Sequence, residues 1–339
     1  MQWVAAVVIA TVWIKGRWVQ SVQRVGVRLG LAMGAALGGR LQNGDRIMDP
    51  MLAALVRYVR RARPVPPPLL ALRRQYEDGL QLMGMTADPR APGIAVAGHG
   101  LTGRLYEPPG PVRLGMVYFH GGGFMMGSTA THDAICRRLA VAGLRVLSID
   151  YRLAPEHQFP AAHDDAQAAL AWGREILGGR LAVGGDSAGA NLAAGLGREP
   201  GVVLQFLLYP VVDMVEDRVR YPSLTRFGTG FLLTEDGLQS CAALLLPNGT
   251  DRADPRLSPI RGVLEGAAPA VICVAGFDPL YDHGVAHAAA LRAAGVPVVL
   301  LEENGMIHGF ADFAGLIPSA RLAVERTVAA LVAALPGHA

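Results

Sequence analysis

The stretch Leu181-Ala182-Val183-Gly184-Gly185-Asp186-Ser187-Ala188-Gly189-Ala190-Asn191-Leu192 decides how the rest of this chain is read. A short apolar run, Leu181 to Val183, leads into G-x-S-x-G and then into a small-residue stretch of helical character, Ala190 to Gly197. Strand, sharp turn and helix in that order make a candidate nucleophile elbow, with Ser187 at a strained turn and its hydroxyl exposed. Glycine two residues to either side lets strand and helix pack closely. Taken alone, the pentapeptide reads equally well as a Gly-rich strand–helix turn. Its neighbours along the chain have to separate the two.

Composition bounds the class. At 339 residues, 51% hydrophobic and 17% charged, the chain has room for a sizeable core in one large α/β domain or two small ones. The net charge of +3 is small for this length, and Lys15 is the only lysine. No basic block is interleaved with aromatics, which speaks against nucleic acid. No G-x-G-x-x-G follows a strand and no Walker sequence occurs, so no nucleotide cofactor is expected. Cys136, Cys241 and Cys273 lie far apart in apolar surroundings, without C-x-x-C. Neither zinc nor a disulfide framework is implied, and buried, inert thiols are expected.

Alternating apolar runs and helical stretches follow from residue 114. Strands are expected at Leu114–Phe119, Arg145–Asp150, Arg180–Gly184, Val202–Tyr209, Ala270–Ala275 and Val296–Leu301. Helices are expected at His132–Ala142, Ala161–Ile176, His283–Ala294 and Ala320–Leu335. That alternation predicts a mostly parallel sheet covered by helices on both faces. Upstream, residues 49–63 and 69–83 read as helices, the first opened by Asp49 with Pro50 at N1, and Gly100–Glu107 as a strand. Gly and Pro are spread along the chain, so the expectation is one domain carrying helical insertions.

Against this frame the serine acquires partners. Asp278 follows the strand expected at Ala270–Ala275, and His308 lies just past Val296–Leu301. Both fall beyond the carboxyl ends of parallel strands, where open α/β sheets place their sites. The order Ser187, Asp278, His308 is that of a serine triad on such a sheet. His120-Gly121-Gly122-Gly123-Phe124 follows the strand Leu114–Phe119 and leaves backbone N–H groups unobstructed. Gly121, Gly122, Gly123 and Ala188 are therefore the candidate oxyanion donors. His283 and His287, four apart on a helix, lack a third converging ligand and read better as a solvated helix face than as a metal pair. Asp164-Asp165 falls in the first turn of a helix, where negative charge suits the dipole.

These motifs resemble the hormone-sensitive-lipase branch of the α/β-hydrolases, the bacterial family IV carboxylesterases. The resemblance covers about Asp49 to the C-terminus. It rests on His120-Gly121-Gly122-Gly123-Phe124, Tyr151-Arg152-Leu153-Ala154-Pro155-Glu156-His157, Gly185-Asp186-Ser187-Ala188-Gly189, Asp254-Pro255-Arg256-Leu257-Ser258-Pro259, Asp278-Pro279-Leu280 and His308-Gly309-Phe310. It implies an α/β-hydrolase fold with a helical cap, here about 49–90 and 214–245. It also implies a Ser187-His308-Asp278 triad acting on short- to medium-chain acyl esters without a cofactor. An amidase or deacetylase on the same triad, and a non-catalytic small-molecule receptor, stay as alternatives. Where the family usually has Asp-Glu-Gly this chain has Asp282-His283-Gly284, a departure expected to touch a surface or support contact and not the triad.

Residues 1–45 have no counterpart in that bacterial pattern. Trp3–Ile14 is an uncharged apolar run of twelve residues, short of the ~20 that span a bilayer. The positive charge of Lys15 and Arg17 follows it, whereas a secretory signal has its charge first. A membrane-surface or partner-contacting helix, an extra helix on the main domain and an upstream extension of the reading frame all stay open. The expectation is an appendage outside the catalytic unit 46–339, in a cytoplasmic protein. The expected partner is a small-molecule ester; a homodimer is left open, and membrane contact through residues 1–30 is an alternative that is not favoured.

Overall fold

The computed structural model describes residues 17–62, 67–215 and 217–337. The apolar run Trp3–Ile14 and Lys15 lie outside them. Eight strands form one sheet in the order β10-β9-β8-β7-β5-β6-β4-β3. They are β3 (Gly93–Gly98), β4 (Leu101–Tyr106), β5 (Leu114–Phe119), β6 (Leu144–Asp150), β7 (Leu181–Asp186), β8 (Val202–Leu208), β9 (Ala270–Phe277) and β10 (Val298–Ile307). From β6 through β5 to β10 every pairing is parallel, while β3 and β4 add antiparallel strands at one edge. A two-stranded ribbon, β1 (Gln42–Asn43) with β2 (Arg46–Ile47), forms a separate sheet beside β10, with Arg46 donating to Gly276 O at 3.1 Å.

Helices cover the sheet between strands, as buried parallel strands require. They are α4 (Asp133–Val141), α5 (Ala161–Leu177), α6 (Ala188–Gly195), α9 (Tyr281–Ala293) and α10 (Pro318–Ala333). Every residue of β9 is buried, so this strand is a continuous apolar run with no alternation. Strand β10 runs six residues past its expected end at Leu301. It is the edge strand of the sheet, where Asp49 N–H donates to Gly305 O at 3.0 Å, and an edge strand tolerates polar side chains: Glu303 is held by Arg326 at 2.9 Å.

Three helices precede the sheet: α1 (Arg17–Leu37), α2 (Pro50–Ala62) and α3 (Leu69–Met83). The start of α2 is capped as the sequence suggests. Asp49 Oδ1 accepts from the backbone N–H of Met51 (2.8 Å) and Leu52 (3.0 Å), two donors that no helical carbonyl reaches. Between β8 and β9 come α7 (Ser223–Arg226) and α8 (Glu235–Leu245), the latter capped by Thr234, whose side chain accepts from Gly237 N–H at 3.1 Å.

The sheet places the site. Strand β5 is flanked by β7 on one side and β6 on the other, so the chain reverses direction of travel across the sheet at β5. The crevice outside such a switch point is where α/β sheets bind ligands. The Gly loop leaves β5 there and the serine turn leaves its neighbour β7.

Candidate active site

Ser187 joins β7 to α6 at φ 52°, ψ −115°, a conformation that non-glycine residues rarely adopt and that costs about 1–3 kcal/mol. The turn is held from both sides: Ser187 N–H donates to Leu208 O at 2.9 Å and Asn191 N–H to Ser187 O at 3.1 Å. Gly189 has to be glycine. A Cβ there would lie 2.0 Å from Phe119 O, so any side chain would drive α6 away from β5.

The three distant residues meet. His308 Nε2 lies 2.9 Å from Ser187 Oγ, and His308 Nδ1 lies 2.7 Å from Asp278 Oδ2. The serine hydroxyl donates to Nε2 when Nδ1 carries the proton and donates it to the carboxylate. The other carboxylate oxygen, Oδ1, accepts from Leu280 N–H at 2.8 Å, so Asp278 is pinned at both ends. Asp278 and His308 are buried. The Tyr209 ring packs edge-on against the His308 imidazole with centroids 4.9 Å apart, limiting its tilt. Tyr209 carried no sequence signal beyond its place at the end of an apolar run.

The Gly loop corrects one expectation. Gly121 N–H is not free: it donates to Asp186 Oδ1 at 2.9 Å. Asp186, the residue before the serine, is buried and also accepts from Tyr118 OH at 3.0 Å. His132 Nε2 lies 3.2 Å from the same carboxylate. Burial opposes the charge on Asp186, but His132 and Tyr118 outweigh it and hold the carboxyl below its usual range. Reciprocally, burial disfavours the His132 imidazolium, and Asp186 overcomes that and raises its pKa. Asp186 thus ties the Gly loop to the serine turn. For Gly122, Gly123 and Ala188 no N–H acceptor is found among the described residues. Ala188 opens α6, where the first amides have no helical acceptor. Gly122 adopts φ 119°, open only to glycine, and a Cβ would meet Met126 O at 2.1 Å.

The loop is braced from behind. His120 stacks on Tyr151 with ring centroids 4.3 Å apart, and Tyr151 OH donates to His120 O at 2.8 Å. Burial pushes the His120 pKa down to about 3, so this ring is a neutral brace. Arg73 of α3 donates to Met125 O (2.7 Å) and Ala154 O (2.8 Å) and pairs with Glu156. The conspicuous Tyr151–His157 segment therefore supports the loop and does not itself reach the serine.

Ser187, Ala188, His308 and Gly123 open into a cleft whose facing wall comes from the segment between β8 and the end of α8: Val211, Met214, Leu224, Leu233, Leu238 and Cys241. The lining is mostly apolar, with Arg218 and Glu235 paired at its edge. Ser258 anchors this wall by accepting from Met214 N–H at 2.7 Å. Asn191 Nδ2 reaches Val211 O and Leu257 O at 2.9 and 2.8 Å. No residue of 49–90 lines the cleft among the described residues; α2 touches its wall through Arg60, which donates to Gly230 O at 3.0 Å.

The second correction concerns α9. His283 and His287 are buried and not solvated. Gly284, His287, Ala288 and Leu291 form one inward helical face, and His283 lies against Tyr221 with ring centroids 4.2 Å apart. Burial lowers both histidine pKa values to about 4, and neither His287 nitrogen has a hydrogen-bond partner among the described residues. The departing residue of Asp282-His283-Gly284 is His283, which makes a support contact: it packs on Tyr221 and its Nδ1 lies 3.4 Å from Val212 N, while the adjacent Asp282 Oδ2 accepts from Ser223 N–H at 2.6 Å. Of Asp164-Asp165, only Asp164 is exposed. Asp165 is buried and bonded to Arg152 (2.7 Å), a tie stronger than the helix dipole alone.

Residues 116–312 match the family described as alpha/beta hydrolase fold. The chain is 38% identical to ethyl acetate hydrolase of Pseudomonas putida over 84% of this chain and 98% of that protein. It is 44% identical to carboxylic ester hydrolase LipN of Mycobacterium tuberculosis over 68% of this chain and 66% of that one. The structure of a hyperthermophilic esterase from Pyrobaculum calidifontis superposes with a TM-score of 0.77 at 34% identity, covering 84% of this chain and 98% of that one. The strained serine turn, the ordered Ser-His-Asp path and these relatives agree, and the chain belongs to the α/β-hydrolases, in their hormone-sensitive-lipase-like branch of carboxylic ester hydrolases.

Proposed function

We propose that Ser187, His308 and Asp278 act as nucleophile, general base and orienting carboxylate in this carboxylic ester hydrolase, on esters of short to medium acyl chain. The unbroken path from Ser187 Oγ through His308 to Asp278, at 2.9 and 2.7 Å, carries the reading. Ser187 Oγ attacks the ester carbonyl while His308 Nε2 takes its proton. The imidazolium then returns that proton to the leaving alkoxide, and water repeats the cycle on the acyl-enzyme. Asp278 holds the Nδ1–H tautomer and stabilises the imidazolium without taking the proton.

Gly122, Gly123 and Ala188 are proposed as donors to the oxyanion, each worth about 3 kcal/mol in the barrier. Gly121 serves one step back, as the point where Asp186 fixes the loop. The segment 214–245 serves as the cap wall that receives the acyl chain, and residues 1–45 stand outside the catalytic unit 46–339. The apolar lining and the likeness to the ethyl acetate hydrolase of Pseudomonas putida support small uncharged esters. Turnover of p-nitrophenyl acetate and butyrate by the full chain and by Ser187→Ala tests it. A fall of about 10⁴-fold or more in kcat/KM with an unchanged melting temperature is expected. Equal rates in the two proteins, or preferential cleavage of the matching anilides, would overturn it.

A further inference from the structure

Helix α1 carries two apolar stripes, and only one of them is covered among the described residues. On the inner side Val27 and Leu31 pack on the core, and Gly34 comes close enough to Ala54 that a Cβ would lie 3.1 Å from it. Arg24 fastens the same side by donating to Gln81 O at 2.8 Å and Thr86 Oγ1 at 3.3 Å. On the outer side Val25, Leu29, Met33 and Leu37 are 58%, 61%, 65% and 86% exposed. Spaced by four, they stand one above another in a stripe about 18 Å long. Ala32 and Ala36 beside them are exposed as well, and Arg28 is the one charged residue on that face among residues 25–37. A surface helix turns one apolar stripe to the core and a polar face outward. Here the outward face is apolar too, so something other than water fits it.

Charge points to what that is. Residues 1–44 contain Lys15, Arg17, Arg24, Arg28 and Arg40 and no Asp or Glu, the first acidic residue being Asp45. The rest of a chain of net charge +3 is therefore net negative. Three of the four tryptophans, Trp3, Trp13 and Trp18, fall in the same segment. Cationic residues with tryptophan and an apolar helix face are the composition of segments that lie in the interface of anionic bilayers. A second copy of the same helix would bring Arg28 and its basic neighbours against their own like charges, without that complementarity.

We propose that α1 docks the protein on an anionic lipid surface, with Val25, Leu29, Met33 and Leu37 at the acyl boundary and Arg28 at the headgroup phosphates. The contact is peripheral: among the described residues no helix is long and apolar enough to cross a membrane.

Co-sedimentation of the full chain with phosphatidylcholine vesicles, and with vesicles that also contain phosphatidylglycerol, tests this. Binding to the anionic vesicles is expected, several-fold weaker at high salt. Arg28→Glu should lower that partition by about fivefold or more. The double variant Leu29→Glu/Met33→Glu should lower it by at least about tenfold. Both variants alter exposed side chains, so their melting temperatures should match the parent chain. Equal partition of parent and double variant, or no binding by the parent, overturns the proposal. So does a dimer in sedimentation velocity that the double variant dissociates while vesicle binding is absent, since the stripe then belongs to a second copy.

Discussion

His308 and the pair His283/His287 are hidden from solvent to the same degree, at 2%, 2% and 1% exposure, yet the surrounding protein treats them oppositely. Each nitrogen of His308 has a named partner, Ser187 on one side and Asp278 on the other. Among the described residues His287 has no hydrogen-bond partner at either nitrogen, and His283 Nδ1 has a long contact from Val212 N–H at 3.4 Å. Burial lowers both pKa values to about 4, alone at His287 and at His283 with help from the Arg220 charge against the pull of Asp213. His308 sits at the mouth of the sheet, in the turn after β10, where side chains from several strands converge. The α9 pair is carried by a helix: His287 faces inward, and His283 packs on Tyr221 at the wall of the cleft. Connectivity, and not burial, separates the histidine proposed as general base from one that packs.

The sharpest way to break the comparison is to remove one ring from each set. His308→Ala should lower kcat/KM on p-nitrophenyl butyrate by about 10⁴-fold or more. His287→Leu should leave it within about threefold, since mutations without contact to reacting groups act mainly on stability. A comparable loss in both would erase the distinction.

Asp186 tests whether connectivity matters one layer further out. Asp186→Asn keeps the shape but weakens the hold on Gly121 N–H and leaves His132 without its counter-charge. A fall of about 10–100-fold in kcat with little change in KM is expected, because the loop's donors act mainly on the transition state. An equal effect on both parameters would assign Asp186 to general folding.

The α9 pair should appear in the pH dependence of stability instead. With a native pKa near 4 and an unfolded value near 6.5, His287 binds its proton more readily in the unfolded chain. Stability is therefore lost as pH falls from about 6.5 to 4, by about 1.4 kcal/mol per unit for each such group. Urea unfolding at pH 7 and pH 5 should show a smaller loss for His287→Leu than for the parent chain.

Asp312 should slope the other way. Burial, reinforced by Asp186, pushes its pKa up to about 7 although His132, Tyr76 and His308 pull against that. The native state therefore holds a proton that the unfolded state has shed above pH 3.8, and this contribution fades as pH rises from about 4 to 7. Asp312→Asn should gain stability over the parent chain at pH 8 and match it near pH 4. A constant offset at both would place the titration elsewhere.

Much of the site was legible because its pieces encode their own conformation. G-D-S-A-G demands a turn that only small flanking residues survive, and three glycines after an apolar strand demand an open loop. Asp278 and His308 could be placed since each follows a strand of recognisable length. The partner of Gly121 N–H was not legible, because Asp186 lies 65 positions away and meets it only when β5 and β7 pair. Nor was Tyr209, one aromatic among several until the sheet brings it against His308. For α9 the signal existed: Gly284, His287, Ala288 and Leu291 have the spacing of an inward face, but two small residues gave it little apolar contrast. The end of β10 was misjudged because Glu302 and Glu303 interrupt the apolar run, which an edge strand accepts.

By itself the sequence determined the kind of sheet, the strained serine turn, and the order in which the serine, carboxylate and histidine of the proposed triad arrive along the chain. Those properties depend on local sterics and on the alternation of apolar segments, which neighbouring residues specify among themselves. Only the tertiary structure decided which amides of the Gly loop stay free, which buried histidines are wired to anything, which segment walls the cleft, and that α1 turns a second apolar stripe away from the body. Each of these depends on what lies across a gap between segments far apart in sequence, and hydrogen-bond partners and covered surface are properties of that meeting and not of either segment alone.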